Sequence, residues 1–354
     1  MTAASQRPQS DFVFSVDESS ASAKWMRRGK TVPALFVAFF LTWSLLPILF
    51  VLSFVHDIVR DRQFSNTRLT LFGAWWLAME VFGVTAAFIL WLSFSPFRKL
   101  ASNQSRRWHS RLQYLWARSL TAGAKRTIRL RWSAQGISCL RSKGPLIILA
   151  RHGSQGDALL TAALLASEGR RLRFVLKKQL LGDPCLDIVG HRIPNYFVDR
   201  DSLDNRDELA NISVLASDLA DDEALVIFPE GTRFSPSKLA KAVEAVTTKT
   251  PRRAASTRIL RSVLPIRTAG TLAALATSHA DIVFCNHVGI NDIASLKELR
   301  DAVPLRRELQ FMLTRVSREE LPSKWTEEDL VDWLDTQWVA IDHWVTINEQ
   351  QQSP

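Results

Sequence analysis

Two apolar runs dominate the first hundred positions. Residues 31–55, TVPALFVAFFLTWSLLPILFVLSFV, carry no charge, and residues 69–94, LTLFGAWWLAMEVFGVTAAFILWLSF, carry one, Glu80. A helix of about 20 apolar residues crosses a bilayer core, so each run is long enough. Pro33 and Pro47 do not disqualify the first run, because a span tolerates proline. It also exceeds the apolar core of a secretory signal, about 7–15 residues. Glu80 is expected to be protonated or to face a partner, since an isolated carboxylate in lipid is costly. The linker HDIVRDRQFSNTR is short. The pattern therefore predicts an antiparallel two-helix transmembrane hairpin within 31–97.

Past residue 125 the period changes. TIRLRW, PLIILA, LRFVLKK, NYFVD, ALVIFPE, SVLPI and DIVFCN read as strands, and 158–169, 206–222 and 237–249 read as helices. This alternation predicts an α/β domain with a mostly parallel or mixed sheet flanked by helices, over 125–348. Gly169 fits a helix C-cap. TPRRAASTR, 250–258, reads as a loose loop. Residues 1–30 are polar and Ser-rich and are expected to form a disordered cytoplasmic tail.

The formal net charge is +10, and its location matters more than its size. Between Arg98 and Arg131 there are ten Lys or Arg and no acid. In RRWHSRLQYLWARSL, Trp108, Leu112, Leu115 and Trp116 share one helical face, and Arg107, Arg111 and Arg118 lie on another. This predicts a basic amphipathic segment over 98–124 lying on an anionic leaflet. A helix packed on the domain is the alternative. Lys24, Arg27, Arg28 and Lys30 flank the first run, so both ends of the hairpin and the domain are expected in the cytoplasm. A bacterial inner membrane or the endoplasmic reticulum suits that layout. Asp11, Asp17 and Glu18 argue against a mitochondrial presequence. No aromatic stacking platform accompanies the basic block, so nucleic acid is not an expected partner. Cys139, Cys185 and Cys285 lie far apart without zinc spacing, which excludes a disulfide framework and a structural metal at this level.

Candidate chemistry begins at RHGSQGD. His152 stands just ahead of Asp157, where the PLIILA strand gives way to a helix with Ser154 as its candidate N-cap. The pair is either a base with its orienting acid or a loop that contains both. Downstream lies FPEGTRFSPSK, residues 228–238. There Gly231 lets the backbone turn close to a ligand. Arg233 offers a planar fork to a phosphate. Glu230 is placed to orient that arginine or the backbone around it.

Together these motifs resemble the glycerolipid acyltransferases, in particular the lysophosphatidic acid and lysophospholipid acyltransferase group. RHGSQGD matches the first block of that family, His-x4-Asp. NYFVDR, ending in Arg200, is similar to the second, FPEGTR to the third and VLPIRTAG to the fourth. LKKQL, with Lys177, resembles a lysine-bearing segment between the first two. The likeness runs from about 145 to 270 and continues more weakly into LPSKWTEEDLVDWLDTQWVAIDHW, which resembles a Trp-rich C-terminal helix.

The resemblance implies transfer of a fatty acyl group from acyl-CoA or acyl carrier protein to the free hydroxyl of 1-acylglycerol-3-phosphate, giving phosphatidic acid. His152 would be the general base, Asp157 its orienting partner, and amides at the helix start the oxyanion donors. Glu230, Gly231, Thr232, Arg233, Arg200 and Lys177 would form the acceptor site. No cofactor and no metal are implied. Another lysophospholipid or a lyso-amino-acid lipid is the alternative acceptor, and a non-catalytic lipid-binding membrane module is the remote one. Two positions depart from the pattern. Arg151 stands where the family usually has Asn and is expected to bear on acceptor choice, and Arg267 follows the fourth-block proline without an assigned role.

Overall fold

Fully buried apolar strands build the centre of the domain. The computed structural model describes residues 15–16, 20–60, 62–154, 156–198, 206–291, 293, 295–322 and 324–352. The chain opens with β1 (Ser15–Val16), α1 (Ala21–Arg60), α2 (Ser65–Phe94), α3 (Asn103–Thr127) and β2 (Trp132–Gln135). Then come β3 (Leu146–Ala150), α4 (Asp157–Ser167), β4 (Arg171–Lys177), α5 (Pro184–Gly190) and β5 (Asn195–Val198). Next are α6 (Arg206–Ser217), β6 (Glu223–Ile227), α7 (Pro236–Lys249), α8 (Ala254–Arg258) and α9 (Thr268–Thr277). The described elements end with β7 (Asp281–Val288), α10 (Leu296–Ala302), β8 (Leu309–Val316) and α11 (Glu327–Gln352).

The strands form one sheet in the order β1-β5-β4-β6-β3-β7-β8-β2. β7 and β8 pair antiparallel and the other described pairs are parallel, so the sheet is mixed. The period of two along β3 divides the core. Leu146, Ile148 and Ala150 join one apolar cluster, with Leu120 of α3 and Leu164 of α4. Ile147 and Leu149 join a second, with Ile212 of α6, Ala274 of α9 and Trp338 of α11. Helices thus cover both faces, as parallel strands buried on two sides require.

The predicted strands and helices are largely present, with differences that have local causes. SVLPI is not a strand. The amides of Arg261, Ser262 and Val263 all donate to Asp342 Oδ1, and that of Leu264 donates to Glu230 Oε2. Side-chain carboxylates take the place of a neighbouring strand. TIRLRW contributes only Trp132 to a strand, because α3 runs on to Thr127. The eighth strand, LQFMLTRV, is additional. The stretch 250–258 is not loose. It forms a 3-10 turn and α8, and Arg253 is buried in a two-bonded pair with Asp335 at 2.8 and 2.6 Å.

The N-terminal tail is shorter than expected, since 21–30 are the first turns of α1 and Ser15–Val16 pair with β5. Arg27 and Arg28 bind Asp187 of α5 at 3.0 and 2.9 Å. Burial alone would raise the Asp187 carboxyl; bonds from His191, Arg27 and Arg28 outweigh it and hold that carboxyl low. The helix α3 is seated on the domain. Leu112 and Trp116 are buried, whereas Trp108 and Leu115 of the same apolar row are exposed.

α1 and α2 form the expected antiparallel hairpin, and both are long and apolar enough to cross a membrane. Its turn differs from the expectation. Ser65 Oγ donates to the Val303 carbonyl, and Arg68 donates to the Thr127 carbonyl at 2.8 Å. Asp57 of α1 supplies the cap for α2, accepting from the Asn66 and Thr67 amides at 3.2 and 2.7 Å. A hairpin crossing the bilayer carries its turn away from the side where the domain lies. Here the turn and the start of α1 are both fastened to the domain. α1 meanwhile leaves Phe40, Leu41, Ile48 and Leu52 on an exposed apolar face.

Glycines let α2 approach. A Cβ on Gly123 would stand 2.2 Å from Trp75 Cδ1, and one on Gly83 would stand 2.4 Å from Cys185 Sγ. Gly123→Ala should therefore cost about 1–3 kcal/mol by overpacking. Thermal unfolding in detergent should show a lower Tm for Gly123→Ala and none of that loss for Gly29→Ala, whose Cβ meets nothing within 4 Å.

Candidate active site

His152 follows the central strand β3, where parallel strands deliver their C-terminal ends and α/β sheets bind ligands. Its backbone N–H donates to Glu230 Oε1 at 2.7 Å, and its carbonyl accepts from the Phe234 amide at 2.9 Å. The imidazole leans on Phe228, with ring centroids 5.1 Å apart. Its Nδ1 lies 3.1 Å from Asp157 Oδ2. That bond assigns the Nδ1–H tautomer and leaves Nε2 as the accepting atom. The side chain stays 17% exposed, so a substrate hydroxyl can reach it.

Asp157 is the first residue of α4 and is buried. Besides His152 it accepts from the Ser154 amide at 2.8 Å and from the Ser154 hydroxyl. Its other oxygen, Oδ1, lies 3.2 Å from His287 Nε2. Burial pushes this carboxyl up, and the His287 and His152 imidazoles outweigh burial and hold it below the usual carboxylate range. Ser154 is not the helix cap. Gly156 occupies that position, while Ser154 Oγ accepts the Gly156 amide at 3.2 Å and donates to Asp157. Two amides near the helix start, those of Ser154 and Gly156, are thus already engaged.

Motif reading did not single out His287. Sheet register brings it in: Ala150 pairs with Cys285, so His152 and His287 both lie two positions further along neighbouring strands. It is 1% exposed, and neither ring nitrogen makes a hydrogen bond among the described residues, so Nε2 meets Asp157 as a close charge contact. Cys285 itself is a core residue, its thiol pushed by burial up to about 12.

Arg151 is fully buried. It donates to the His287 carbonyl and Asn291 Oδ1, each at 2.7 Å, and to the Ser262 carbonyl at 2.9 Å. Its bearing on acceptor choice is therefore indirect at most. Gly153 has to be small, since a Cβ there would come within 2.5 Å of Asn291 Oδ1 and 2.8 Å of Arg151 Nη1.

Glu230 orients backbone, not Arg233: it takes the amides of His152 and Leu264 at 2.7 and 2.9 Å. Burial raises its carboxyl to about 7 against the pull of Arg151 and the two amides. Gly231 has φ 73°, a left-handed conformation, and Arg267 packs where its Cβ would be. The Arg267 amide donates to the Pro229 carbonyl at 2.8 Å, which joins the third and fourth blocks. Thr232 and Arg233 are half-buried in the turn beside His152, and Lys238 Nζ bonds Thr232 Oγ1 and the Arg233 carbonyl. Lys177 ends β4, two strands from β3 at the same sheet edge. Arg200 lies outside the described residues.

An apolar cavity of about 820 Å³ opens beside the start of α4. Ser154, Gly156 and Leu160 line it from the domain, and Phe72, Gly73 and Trp76 line it from α2.

The His–Asp pair, the arginine-bearing turn and the apolar cavity lie together beyond the C-terminal ends of the central strands. Residues 131–268 match the family model described as Acyltransferase. Among solved structures the chain is similar to the 1-acyl-sn-glycerophosphate (LPA) acyltransferase, PlsC, from Thermotoga maritima. That match has a TM-score of 0.46 and 14% identity, and covers 78% of this chain and 98% of that one. No curated protein matches at the level of sequence.

Glu230 sets a pH dependence. Its folded value, about 7, lies above the ordinary carboxylate value of 4.5. The folded state therefore holds a proton that the unfolded chain releases, and stability from this group falls as pH rises from 4.5 to 7. The Tm difference between wild type and Glu230→Gln should move against wild type across that window and level off on either side.

Proposed function

We propose that this chain transfers an acyl group from a thioester donor to the free hydroxyl of 1-acylglycerol-3-phosphate, forming phosphatidic acid. The observation that carries the reading is the 3.1 Å bond from His152 Nδ1 to buried Asp157, which commits Nε2 to accepting a proton. The acceptor hydroxyl gives its proton to Nε2 as its oxygen attacks the thioester carbonyl. The new C–O bond replaces the C–S bond, and the imidazolium returns the proton to the leaving thiolate. Asp157 fixes the tautomer and stabilises the imidazolium. Arg233, Lys177 and Arg200 are the proposed phosphate contacts, with Gly231 and Thr232 shaping the turn and Glu230 holding it. The apolar cavity takes substrate hydrocarbon.

His287 is assigned as a positioning residue, holding Asp157 Oδ1 while Oδ2 faces His152. The domain over about 125–348 carries the chemistry. The hairpin of 31–97, whose α1 face is apolar and exposed, embeds in the leaflet that supplies the lysolipid, with the domain on the cytoplasmic side.

Purified protein should convert oleoyl-CoA and lysophosphatidic acid to phosphatidic acid, detected by mass spectrometry, with other lysolipids as parallel acceptors. His152→Ala should lose about 10²–10⁴-fold in kcat while remaining folded. Full activity in that variant would overturn the mechanism. Product only from another lysolipid would replace the acceptor. A second variant pair tests His287. His287→Leu should lower kcat with little change in KM and move the acid limb of the pH profile. His287→Gln, which restores a donor near the Nε2 position, should recover both.

A further inference from the structure

The backbone link between β3 and β7 ends where the Arg151 amide donates to the Cys285 carbonyl at 3.0 Å. Past that point side chains join the segments that carry His152 and His287. Arg151 Nη1 donates to the His287 carbonyl and to Asn291 Oδ1, each at 2.7 Å. Asn291 also lies against Gly153, where a Cβ would come within 2.5 Å of its Oδ1. One amide side chain thus packs on the residues either side of His152.

The other end of that amide reaches the C-terminal helix. Asn291 Nδ2 donates to Glu349 Oε1, which also takes the Gly289 amide at 3.4 Å. Glu349 belongs to the last turn of α11, and Gln352 of the same turn donates to the Glu308 carbonyl at 3.1 Å. Gly289 is held at φ 106°, and a Cβ there would stand 2.3 Å from the Glu308 carbonyl oxygen. The end of α11 therefore grips the segment that leaves β7 and the one that enters β8.

The two partners fix the orientation of Asn291. A guanidinium only donates, so Oδ1 faces Arg151; a carboxylate only accepts, so Nδ2 faces Glu349. Neither an aspartate nor a leucine at 291 reproduces both bonds. Arg151 is fully buried, so its bonds are made away from water, and a buried chain of this kind weakens at every link when its middle member is lost. The chain ends on the pair of histidines. Asp157 lies 3.1 Å from His152 Nδ1 and 3.2 Å from His287 Nε2, and a small shift of either strand end separates one of these contacts.

We infer that Asn291 and Glu349 are positioning residues for the acyl transfer, acting through Arg151 and Gly153 on the backbone of His152 and His287 so that Asp157 meets both rings. The inference rests on the proposed acyl transfer and gives a part in it to the last turn of α11, far from the motif blocks.

The test compares Asn291→Asp, Asn291→Leu, Glu349→Gln and the double variant Asn291→Asp/Glu349→Gln with wild type in the full chain. Asn291→Asp still accepts from Arg151 but sets a second carboxylate against Glu349. Adding Glu349→Gln restores a donor there and the original total charge. With oleoyl-CoA and lysophosphatidic acid, kcat should fall about tenfold in Asn291→Asp and Asn291→Leu, the scale of one charge-assisted bond, with little change in either KM. The double variant should recover most of that loss, as coupled neighbours do. Modification of His152 by diethyl pyrocarbonate across pH, followed by mass spectrometry of its peptide, reads the ring without any substrate. Its midpoint should move to higher pH in both Asn291 variants, because Asp157 released from His287 holds the His152 imidazolium more strongly, and should return in the double variant.

A wild-type kcat and midpoint in Asn291→Asp would overturn the inference, as would a double variant no better than Asn291→Asp. A change confined to the KM for the lysolipid would also overturn it, assigning the link to the cavity wall at Ile290 instead. If wild type acylates no lysolipid at all, the proposed activity fails, while the His152 midpoint still reads whether Asn291 and Glu349 position the ring.

Discussion

One buried carboxylate holds together the three segments that make the site. Glu230 takes the amide of His152 with one oxygen and the amide of Leu264 with the other, at 2.7 and 2.9 Å. The end of β3, the turn after β6 and the irregular stretch before α9 are thereby fixed against each other. Neither amide has a strand partner to replace that acceptor, and an orphaned buried N–H costs about 1–3 kcal/mol. The second carboxylate, Asp157, depends on this frame. It can orient His152 only because the backbone carrying the ring is already held.

The polar groups beneath the site form a continuous buried layer. Arg151 reaches the carbonyls of Ser262 and His287 and the side chain of Asn291, and His287 approaches Asp157. Asp342 collects three amides of the 261–263 stretch, and Trp338 donates to the Leu264 carbonyl at 2.9 Å. The layer is satisfied only in part, since Arg151 Nε and both His287 ring nitrogens make no hydrogen bond among the described residues.

Much of this was legible in the sequence because it is local. His152 and Asp157 meet across one strand-to-helix junction, and Gly231 announces a turn that only a residue tolerant of positive φ makes easily. The apolar periods gave the sheet core and the hairpin helices. What escaped is long-range. His287 enters through strand register, which no spacing within DIVFCNHV reveals. SVLPI has the composition of a strand, yet its amides point at Asp342 and Glu230, so hydrogen-bond supply overrode propensity. The row Trp108, Leu112, Leu115 and Trp116 was visible as a face, but only packing shows that the domain takes two of the four. The hairpin turn was read from length and charge, and neither reports that Ser65 bonds Val303.

The support that α11 gives to the 261–264 stretch also fixes when the site can come into being. Asp342 lies 79 residues beyond Val263 in the chain, and its carboxylate is the acceptor for that stretch. Every motif block has left the ribosome well before this residue is made. The nascent chain then carries all of its chemistry but not the scaffold that aligns it. Assembly of the site is therefore a late folding event, and synthesis proceeds while the histidine is still without its frame.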